Sequence, residues 1–269
     1  MIRQPAVAGR FYPAEPAKLK KLIDSFGIKK EEKRQKAIAC ILPHAGYIYS
    51  GKVASAVLSK IDIAQNLIIL GPNHTGYGTP ASIMTEGQWL TPFSSLEVNS
   101  KLANMILNGS KFLEEDETAH AFEHSIEVEL PLIQAMARPE FTFVPIILAS
   151  GDNLVYKDIA LSIATAVRSF KGDVTIIASS DMTHYESQKS ANEKDKAAIE
   201  AILSLDTAQM LDRIEKSGIS MCGYMPVAIA LMAAKLLGAK AGTLVAYETS
   251  GDVTGDYSSV VGYAGIIIQ

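Results

Sequence analysis

The sequence predicts an α/β fold with a largely parallel central sheet flanked by helices. Continuous apolar runs of strand length alternate along the chain with segments whose apolar residues recur every three or four positions, as on one face of a helix. The 269 residues contain no internal repeat, low-complexity tract or break in composition, and a chain of this length can bury a sizeable core. Because alternating strands and helices favour parallel pairing, we predict one α/β domain over residues 1–269.

The individual elements follow from these two patterns. Apolar runs predict strands at residues 37–42, 66–70, 141–148 and 174–178, and two further candidates, 241–249 and 258–268, close the sheet. Helical spacing predicts helices at residues 16–26, 50–61, 98–107, 154–170, 191–203, 207–216 and 225–237. The turn formers of residues 71–78 mark one of the loops between them.

One segment precedes and one follows the third predicted helix, residues 98–107, and neither has the pattern of a long strand or helix. Residues 81–92 are predicted to form a short strand pair with Trp89 in the turn region. Residues 112–122 are acidic and loop-like, so we expect His120 to be exposed to solvent.

Composition and charge exclude several classes of protein. Hydrophobic residues make up 48% of the chain and charged residues 20%, as in ordinary soluble globular proteins. The formal net charge of −4 excludes a general nucleic-acid binder, which needs a basic field. The longest apolar helix candidate, residues 223–237, contains Pro226 and Lys235 and is too short to span a bilayer.

The compartment is predicted from the N-terminus and from the cysteines. The first residues lack the apolar stretch of a signal peptide. Two cysteines, Cys40 and Cys222, do not form a disulfide framework, and Cys40 is predicted to be a small core residue. We therefore expect a cytoplasmic protein with no membrane segment.

Histidines follow three of the predicted strands directly. His44, His74 and His184 come at the ends of apolar runs, where the loops of an open α/β sheet gather and ligands bind. Cys222 precedes a predicted helix, whose N-terminal dipole favours a thiolate. Imidazole and thiolate together suit iron, copper or zinc. The alternative is that the histidines only bond the backbone of their loops and that Cys222 is an inert, buried thiol.

Carboxylates add a second group of candidates. Asp181 lies three residues before His184 and could orient its ring, although it could equally cap a turn or a helix. Residues 123–136 are predicted to be helical, which would place His124 and Glu127 on one side at i,i+3. His124 could then support a metal-ligating residue from outside the coordination sphere, or it could face a substrate. The sequence contains no phosphate-binding P-loop, no GxGxxG before a helix and no GxSxG elbow, so nucleotide binding and serine hydrolysis are not supported.

Six motifs stand out along the chain: Gly9–Pro13 (GRFYP), Pro43–Tyr47 (PHAGY) with Ser50–Gly51, Gly71–His74 (GPNH), Glu123–Glu127 (EHSIE), Ser179–Asp181 (SSD) with His184, and Cys222–Gly223. They resemble the motifs of the Memo family and occur in the family's order, and the resemblance covers the chain from residue 9 to about residue 265. The resemblance implies a fold similar to that of the class III extradiol dioxygenases, which use non-haem Fe(II). It also implies, for a prokaryotic member, a system that includes a radical-SAM partner, whereas the eukaryotic namesake is linked to cell-motility signalling.

The resemblance further implies a metal pocket formed by His44, His74 and Cys222, with His184 close by. The dioxygenase relatives hold iron with two histidines and one carboxylate, and a cysteine stands at the third position here. Because a thiolate is softer than a carboxylate, it shifts the preference from iron towards copper or zinc.

These observations lead to three hypotheses. In the first, the protein is a metal-dependent redox enzyme that binds iron or copper; His184 gives or takes a proton, Asp181 orients it and Glu127 lines the pocket. In the second, the same pocket binds a peptide or a small ligand without turnover. Arg10, Tyr12 and Tyr47 then line it. A zinc hydrolase that uses a metal-bound water is the third hypothesis. The sequence leaves the substrate open, and it also leaves open whether the protein forms a homo-oligomer.

Overall fold

A nine-stranded sheet runs through the protein and separates two hydrophobic cores. The computed structural model describes residues 1–138 and 140–269. The strands are β1 (Ile2–Arg3), β2 (Ala39–Leu42), β3 (Asn66–Pro72), β4 (Ala81–Ile83), β5 (Gln88–Leu90), β6 (Ser95–Glu97), β7 (Glu114–Glu115), β8 (Thr142–Leu148), β9 (Val174–Ser179), β10 (His184–Glu186), β11 (Gly242–Thr249) and β12 (Val260–Ile268). The helices are α1 (Pro16–Ser25), α2 (Tyr47–Lys60), α3 (Ser100–Gly109), α4 (Thr118–Ala121), α5 (Glu129–Met136), α6 (Asn153–Ser169), α7 (Gln188–Leu203), α8 (Thr207–Ser217), α9 (Tyr224–Leu236) and α10 (Gly251–Thr254).

The centre of the large sheet is parallel and its flanks are mixed. The strand order is β10-β12-β2-β9-β3-β8-β4-β7, and β11 pairs with β12. β2, β9, β3 and β8 run parallel to one another, whereas β12 is antiparallel to β2 and β4 is antiparallel to β8. The structure therefore confirms the α/β prediction, and it shows that the two closing strands, β11 and β12, pair antiparallel with each other.

The two faces of the sheet alternate along each central strand. In β2, Ala39 and Ile41 belong to one core, while Cys40 and Leu42 belong to the other, as the two-residue period of a strand requires. Helices α3, α6 and α9 cover the first face, and α1, α2 and α5 cover the second. Cys40 is fully buried, as predicted. No helix in the described part of the chain is long and apolar enough to cross a membrane.

Two strands form in residues 81–92, but they do not pair with each other as predicted. β4 joins the large sheet beside β8, whereas β5 belongs to a separate three-stranded sheet with β1 and β6. Trp89 is fully buried in the middle of β5, with the guanidinium carbon of Arg3 4.0 Å from its ring centre and Phe143 edge-on at 5.4 Å. The local pattern shows two short strands, but their partners come from distant parts of the chain.

The helix predicted for residues 123–136 begins only at Glu129. Glu123 Oε1 accepts hydrogen bonds from the backbone N–H groups of His124 and Ser125, both at 2.9 Å. Such local bonds to a side chain compete with helix formation, so residues 125–128 form a turn and the helix does not begin before Glu129. The predicted i,i+3 pairing of His124 with Glu127 on a helix is therefore wrong.

His120 is fully buried, and the prediction that it is exposed to solvent is wrong. Its Nε2 lies 2.9 Å from Ser82 Oγ, and burial lowers its pKa to about 3. The acidic residues around it face solvent, but the short helix α4 turns the imidazole towards Trp89. Composition of a loop does not determine which way one side chain in it points.

Candidate metal centre

His44 reaches the site because β2 ends one residue before Pro43 and α2 starts at Tyr47. Its backbone N–H donates to Asp181 Oδ1 at 2.9 Å, and its Nδ1 lies 2.8 Å from Ser179 Oγ. The side chain is almost completely buried. Both contacts come from the end of β9 and the loop that follows it, the neighbour of β2 in the sheet, so the parallel pairing itself holds the histidine loop in place.

His74 follows β3, the next parallel strand in the sheet. Its ring nitrogen Nδ1 lies 2.9 Å from Glu123 Oε1, and its backbone N–H donates to Glu123 Oε2. Asn73 Oδ1 accepts hydrogen bonds from the N–H groups of Thr75 and Gly76, which folds the loop into a tight turn. His74 is therefore fixed through its ring and through its backbone.

Cys222 lies just before α9, and its Sγ is 3.3 Å from His44 Nε2. Gly223 makes this approach possible, because a Cβ at that position would lie 2.5 Å from Ser180 Cβ and would collide with the carbonyl oxygen of Ser179. The N–H of Gly223 donates to Ser180 Oγ at 3.0 Å. The glycine thus joins the start of α9 to the end of β9 and places the thiol beside the histidines.

The three predicted residues come together as a cluster of donor atoms. One ligand atom from each of His44, His74 and Cys222 lies within 4.8 Å of the others. A second group, made of His74, Glu123 and His124, meets the same distance limit. The Nδ1 atoms of His44 and His74 are occupied by Ser179 and Glu123, so the Nε2 atoms remain for a metal. This donor set fits a transition metal.

The electrostatics favour the neutral form of the His44 and His124 imidazoles, which is the form that binds metals. Burial, followed by the neighbouring His124 and His74, holds the pKa of His44 well below its ordinary value. Burial also lowers the pKa of His124 to about 4. For Glu123 burial acts in the opposite direction, but the hydrogen bond and charge of His74 lower the pKa of this carboxyl to about 2.

The prediction that the start of a helix favours a Cys222 thiolate is wrong for the cluster without a cation. Burial and then the charge of Asp181 raise the pKa of the thiol well above its ordinary value, and the backbone hydrogen bonds do not compensate. A bound cation would reverse this balance, because metal ligation displaces the thiol proton.

His184 and Asp181 lie near the cluster, but Asp181 does not orient the His184 ring as predicted. His184 Nδ1 is 2.9 Å from the carbonyl oxygen of Ser220, so this carbonyl orients the ring and leaves Nε2 free. The Asp181 carboxylate instead accepts the N–H of His44. His184 also contributes to the lowered pKa of His44, which indicates that the two rings interact.

Glu127 belongs to a different cluster. Its carboxylate accepts hydrogen bonds from Arg3 at 2.8 Å, from Tyr12 Oη at 2.7 Å and from two backbone N–H groups of the N-terminal segment. These four bonds occupy the group, so it ties the N-terminus to residues 123–128 rather than lining the pocket. Tyr12 and Tyr47 are also buried, with their hydroxyls donating to Glu127 and to the carbonyl of Val128. Their hydroxyl hydrogens are therefore used within the protein and are not free to bind a ligand.

His124 and Glu123 were candidates in the sequence, but their roles were left open. The His124 ring stacks on His74 with a centroid distance of 4.5 Å and lies 5.5 Å from the His44 ring. Glu123 Oε1 accepts from His74 Nδ1 and lies 3.3 Å from His124 Nδ1. The adjacent letters Glu-His of residues 123–124 were the available signal, since a carboxylate often orients a ligand histidine.

These features define an α/β protein with two histidines and one cysteine at the carboxyl edge of its parallel strands. The fold resembles that of an uncharacterised protein of Escherichia coli K12, with a TM-score of 0.57 at 14% identity over 86% of this chain and all of the other. At this level of identity the likeness concerns the fold alone.

The sequence comparisons identify the family. A family model described as Memo-like protein matches residues 3–267. A MEMO1 family protein of Methanopyrus kandleri is 41% identical over 281 residues, covering 100% of this chain and 99% of the relative. Another from Aquifex aeolicus is 41% identical and covers 99% and 98%. The chain belongs to the Memo family, as its motifs predicted.

Proposed function

We propose that this chain is a metal-dependent redox enzyme whose metal is bound by His44 Nε2, His74 Nε2 and Cys222 Sγ. The observation that carries the proposal is the convergence of these three donors from distant segments, with Cys222 Sγ 3.3 Å from His44 Nε2. The Nδ1 atoms of His44 and His74 each already have a hydrogen-bonding partner, as in metal sites whose ligand histidines are oriented by a hydrogen bond to the second ring nitrogen.

The donor set fits iron, copper or zinc, and the redox proposal takes iron or copper because zinc has no redox chemistry. Imidazole suits all three metals, and a thiolate ligand selects for the softer ones. Iron or copper bound here would supply one-electron chemistry and sites for oxygen or a substrate. The protein's own contribution is to keep the His44 imidazole neutral and to hold the thiol of Cys222 beside it.

Two further histidines are placed to handle protons beside the metal. His184 has its Nδ1 on the Ser220 carbonyl, so its Nε2 can give or take a proton. The ring of His124 lies between those of His74 and Phe11, whose centroids are 4.5 and 4.7 Å from it. We therefore assign proton transfer to His184 and, second, to His124.

The test is the metal content of protein purified without a histidine tag. We expect iron or copper in a ratio approaching one per chain, and its loss in the double variant His44→Ala/His74→Ala and in Cys222→Ser. Cys40→Ala is the matched control, because Cys40 is a buried core thiol that does not belong to either group of clustered ligand atoms. Anomalous scattering at the iron or copper edge should place the ion about 2.0–2.3 Å from the two imidazoles and the sulfur, distances known for zinc sites of this type. Metal-free protein with unaltered function would refute the proposal.

A binding module that uses the same pocket is the second candidate. Large aromatic side chains stand exposed near two of the histidines: Tyr77, in the loop that carries His74, is 58% exposed, and Tyr185, next to His184 in β10, is 79% exposed. Exposed aromatic groups of this size are typical of recognition surfaces. Ligand affinity that survives both chelation and Cys222→Ser would favour this candidate over the redox enzyme.

A further inference from the structure

A fully buried carboxyl group lies behind His44 and has no charged partner. Glu129 starts α5, and its Oε1 is 2.8 Å from Ser179 Oγ. Its other oxygen, Oε2, has no hydrogen-bond partner, and no salt bridge in the described part of the chain involves Glu129. An ionised carboxylate in this position would have to leave water without compensation.

Ser179 connects this carboxyl to the metal cluster. Its hydroxyl oxygen lies 2.7 Å from the carbonyl oxygen of Ser125, 2.8 Å from Glu129 Oε1 and 2.8 Å from His44 Nδ1. A serine hydroxyl has one hydrogen to donate and two lone pairs with which to accept. All three of its hydrogen-bonding positions are therefore in use.

Counting hydrogens assigns the direction of each bond. A backbone carbonyl can only accept, so the single hydrogen of Ser179 goes to Ser125. The other two neighbours must then donate to Ser179 Oγ. His44 does so with an N–H at Nδ1, and Glu129 can do so only with the O–H of a protonated carboxylic acid.

We propose that Glu129 is a protonated positioning residue that, with Ser179, fixes His44 in the Nδ1–H tautomer and leaves the Nε2 lone pair facing Cys222. This inference deepens the proposed function, and it rests on that function where it assigns Nε2 to a metal. It is consistent with the surroundings of Glu129, because burial and the charge of Asp181 hold its pKa well above the ordinary value.

The two proposed ligand histidines therefore have different hydrogen-bonding partners at Nδ1. His74 Nδ1 lies against Glu123, whose pKa is lowered to about 2 and which is therefore charged at neutral pH. His44 Nδ1 lies against the neutral hydroxyl of Ser179, which in turn contacts the neutral carboxylic acid of Glu129. A carboxylate raises the basicity of the histidine it bonds, so His74 becomes the more electron-donating of the two ligands.

The first experiment measures the tautomer directly in the chelator-treated protein. The imidazole nitrogens of the ¹⁵N-labelled chain have shifts that distinguish the two neutral tautomers, and only five histidines contribute. We expect His44, assigned by the signals missing in His44→Gln, to be neutral with its hydrogen on Nδ1. A hydrogen on Nε2 would overturn the proposal. Since no metal is present, this result stands apart from success or failure of the metal-content test.

The second experiment detects the proton on Glu129. We expect the metal-free protein at neutral pH to show the infrared C=O band of a protonated carboxylic acid. This band should disappear in Glu129→Gln and persist in Asp195→Asn, which alters another buried carboxyl whose pKa is raised, first by burial. If Glu129→Gln removes no such band, Glu129 is ionised and the proposal is wrong.

Two variants separate positioning from simple packing. Glu129→Gln keeps an N–H that can donate to Ser179, so we expect the His44 tautomer to be retained. Ser179→Ala removes the acceptor of His44 Nδ1–H, and we expect metal affinity to fall about 10–100-fold, as for other outer partners of ligand histidines. Ser55→Ala is the control, because the Ser55 hydroxyl is buried without a partner. Loss of the Nδ1–H tautomer in Glu129→Gln, or wild-type affinity in Ser179→Ala, would overturn the positioning role.

Discussion

Replacing Glu123 by glutamine should destabilise the metal-free protein by about 3 kcal/mol at neutral pH. The carboxylate is buried and accepts hydrogen bonds from His74 Nδ1 and from the backbone N–H groups of His74, His124 and Ser125. Its pKa falls from an ordinary 4.5 to about 2. At about 1.4 kcal/mol per pH unit, this lowering corresponds to about 3 kcal/mol of stability, a large part of the roughly 5–15 kcal/mol typical of a folded domain.

The sign of this contribution sets its pH dependence. Because the folded state lowers the pKa of Glu123, its stabilisation is fully present above pH 4.5 and is lost as the pH falls towards 2. The difference in unfolding free energy between the wild type and Glu123→Gln should therefore be constant near neutrality and shrink through this range.

The assay is urea unfolding of chelator-treated protein at a series of pH values. The single tryptophan, Trp89, is fully buried and reports the transition by its fluorescence. Glu193→Gln is the matched control, since Glu193 is exposed on α7 and such surface changes stay within about 0.5 kcal/mol. A difference between wild type and Glu123→Gln that does not change between pH 7 and pH 3 would refute the reasoning.

Two further predictions concern the framework of the site. Arg3→Met should lower the unfolding free energy by about 3–5 kcal/mol, because it leaves Glu127 buried without its cation, and the double variant Arg3→Met/Glu127→Gln should recover part of the loss in the same urea assay. An Arg3→Met protein as stable as the wild type would contradict this. Gly223→Ala should abolish metal binding, measured by elemental analysis, since the new Cβ would push α9 away from Ser180. Gly218→Ala should keep the metal and cost only about 1–2 kcal/mol, because its added Cβ meets open space at a φ of +59°; equal metal content in both variants would refute the argument.

Most strands of the large sheet, and most helices that flank it, could be predicted from the sequence. Their observed ends differ from the predicted ends by at most three residues. Their apolar runs and helical spacing are local properties, and the parallel centre follows from their alternation. The predictions fail where a residue that is distant in the sequence determines the local structure. Trp89 enters a strand because Arg3 and Phe143 pack against it, and residues 123–128 stay out of the helix because Glu123 bonds their backbone.

The site was predictable in part for the same reason. His44 and His74 directly follow apolar strands, so strand order alone brings them to one edge of the sheet. No comparable signal in the sequence indicates which group hydrogen-bonds to each imidazole ring. The His184 ring contacts the carbonyl group of Ser220 rather than Asp181. Glu127 accepts hydrogen bonds from the N-terminal segment rather than lining the pocket.

The sequence by itself determined the fold class, the family and the residues whose side chains could bind a metal. Only the tertiary structure decided which groups surround them: the Cys222 thiol beside His44, 178 positions away, and the chain of contacts from His44 through Ser179 to Glu129. The physical reason is that strand and helix formation depend on neighbours along the chain. Protonation, tautomer and ligand geometry depend instead on burial and on hydrogen bonds between segments that meet only after folding.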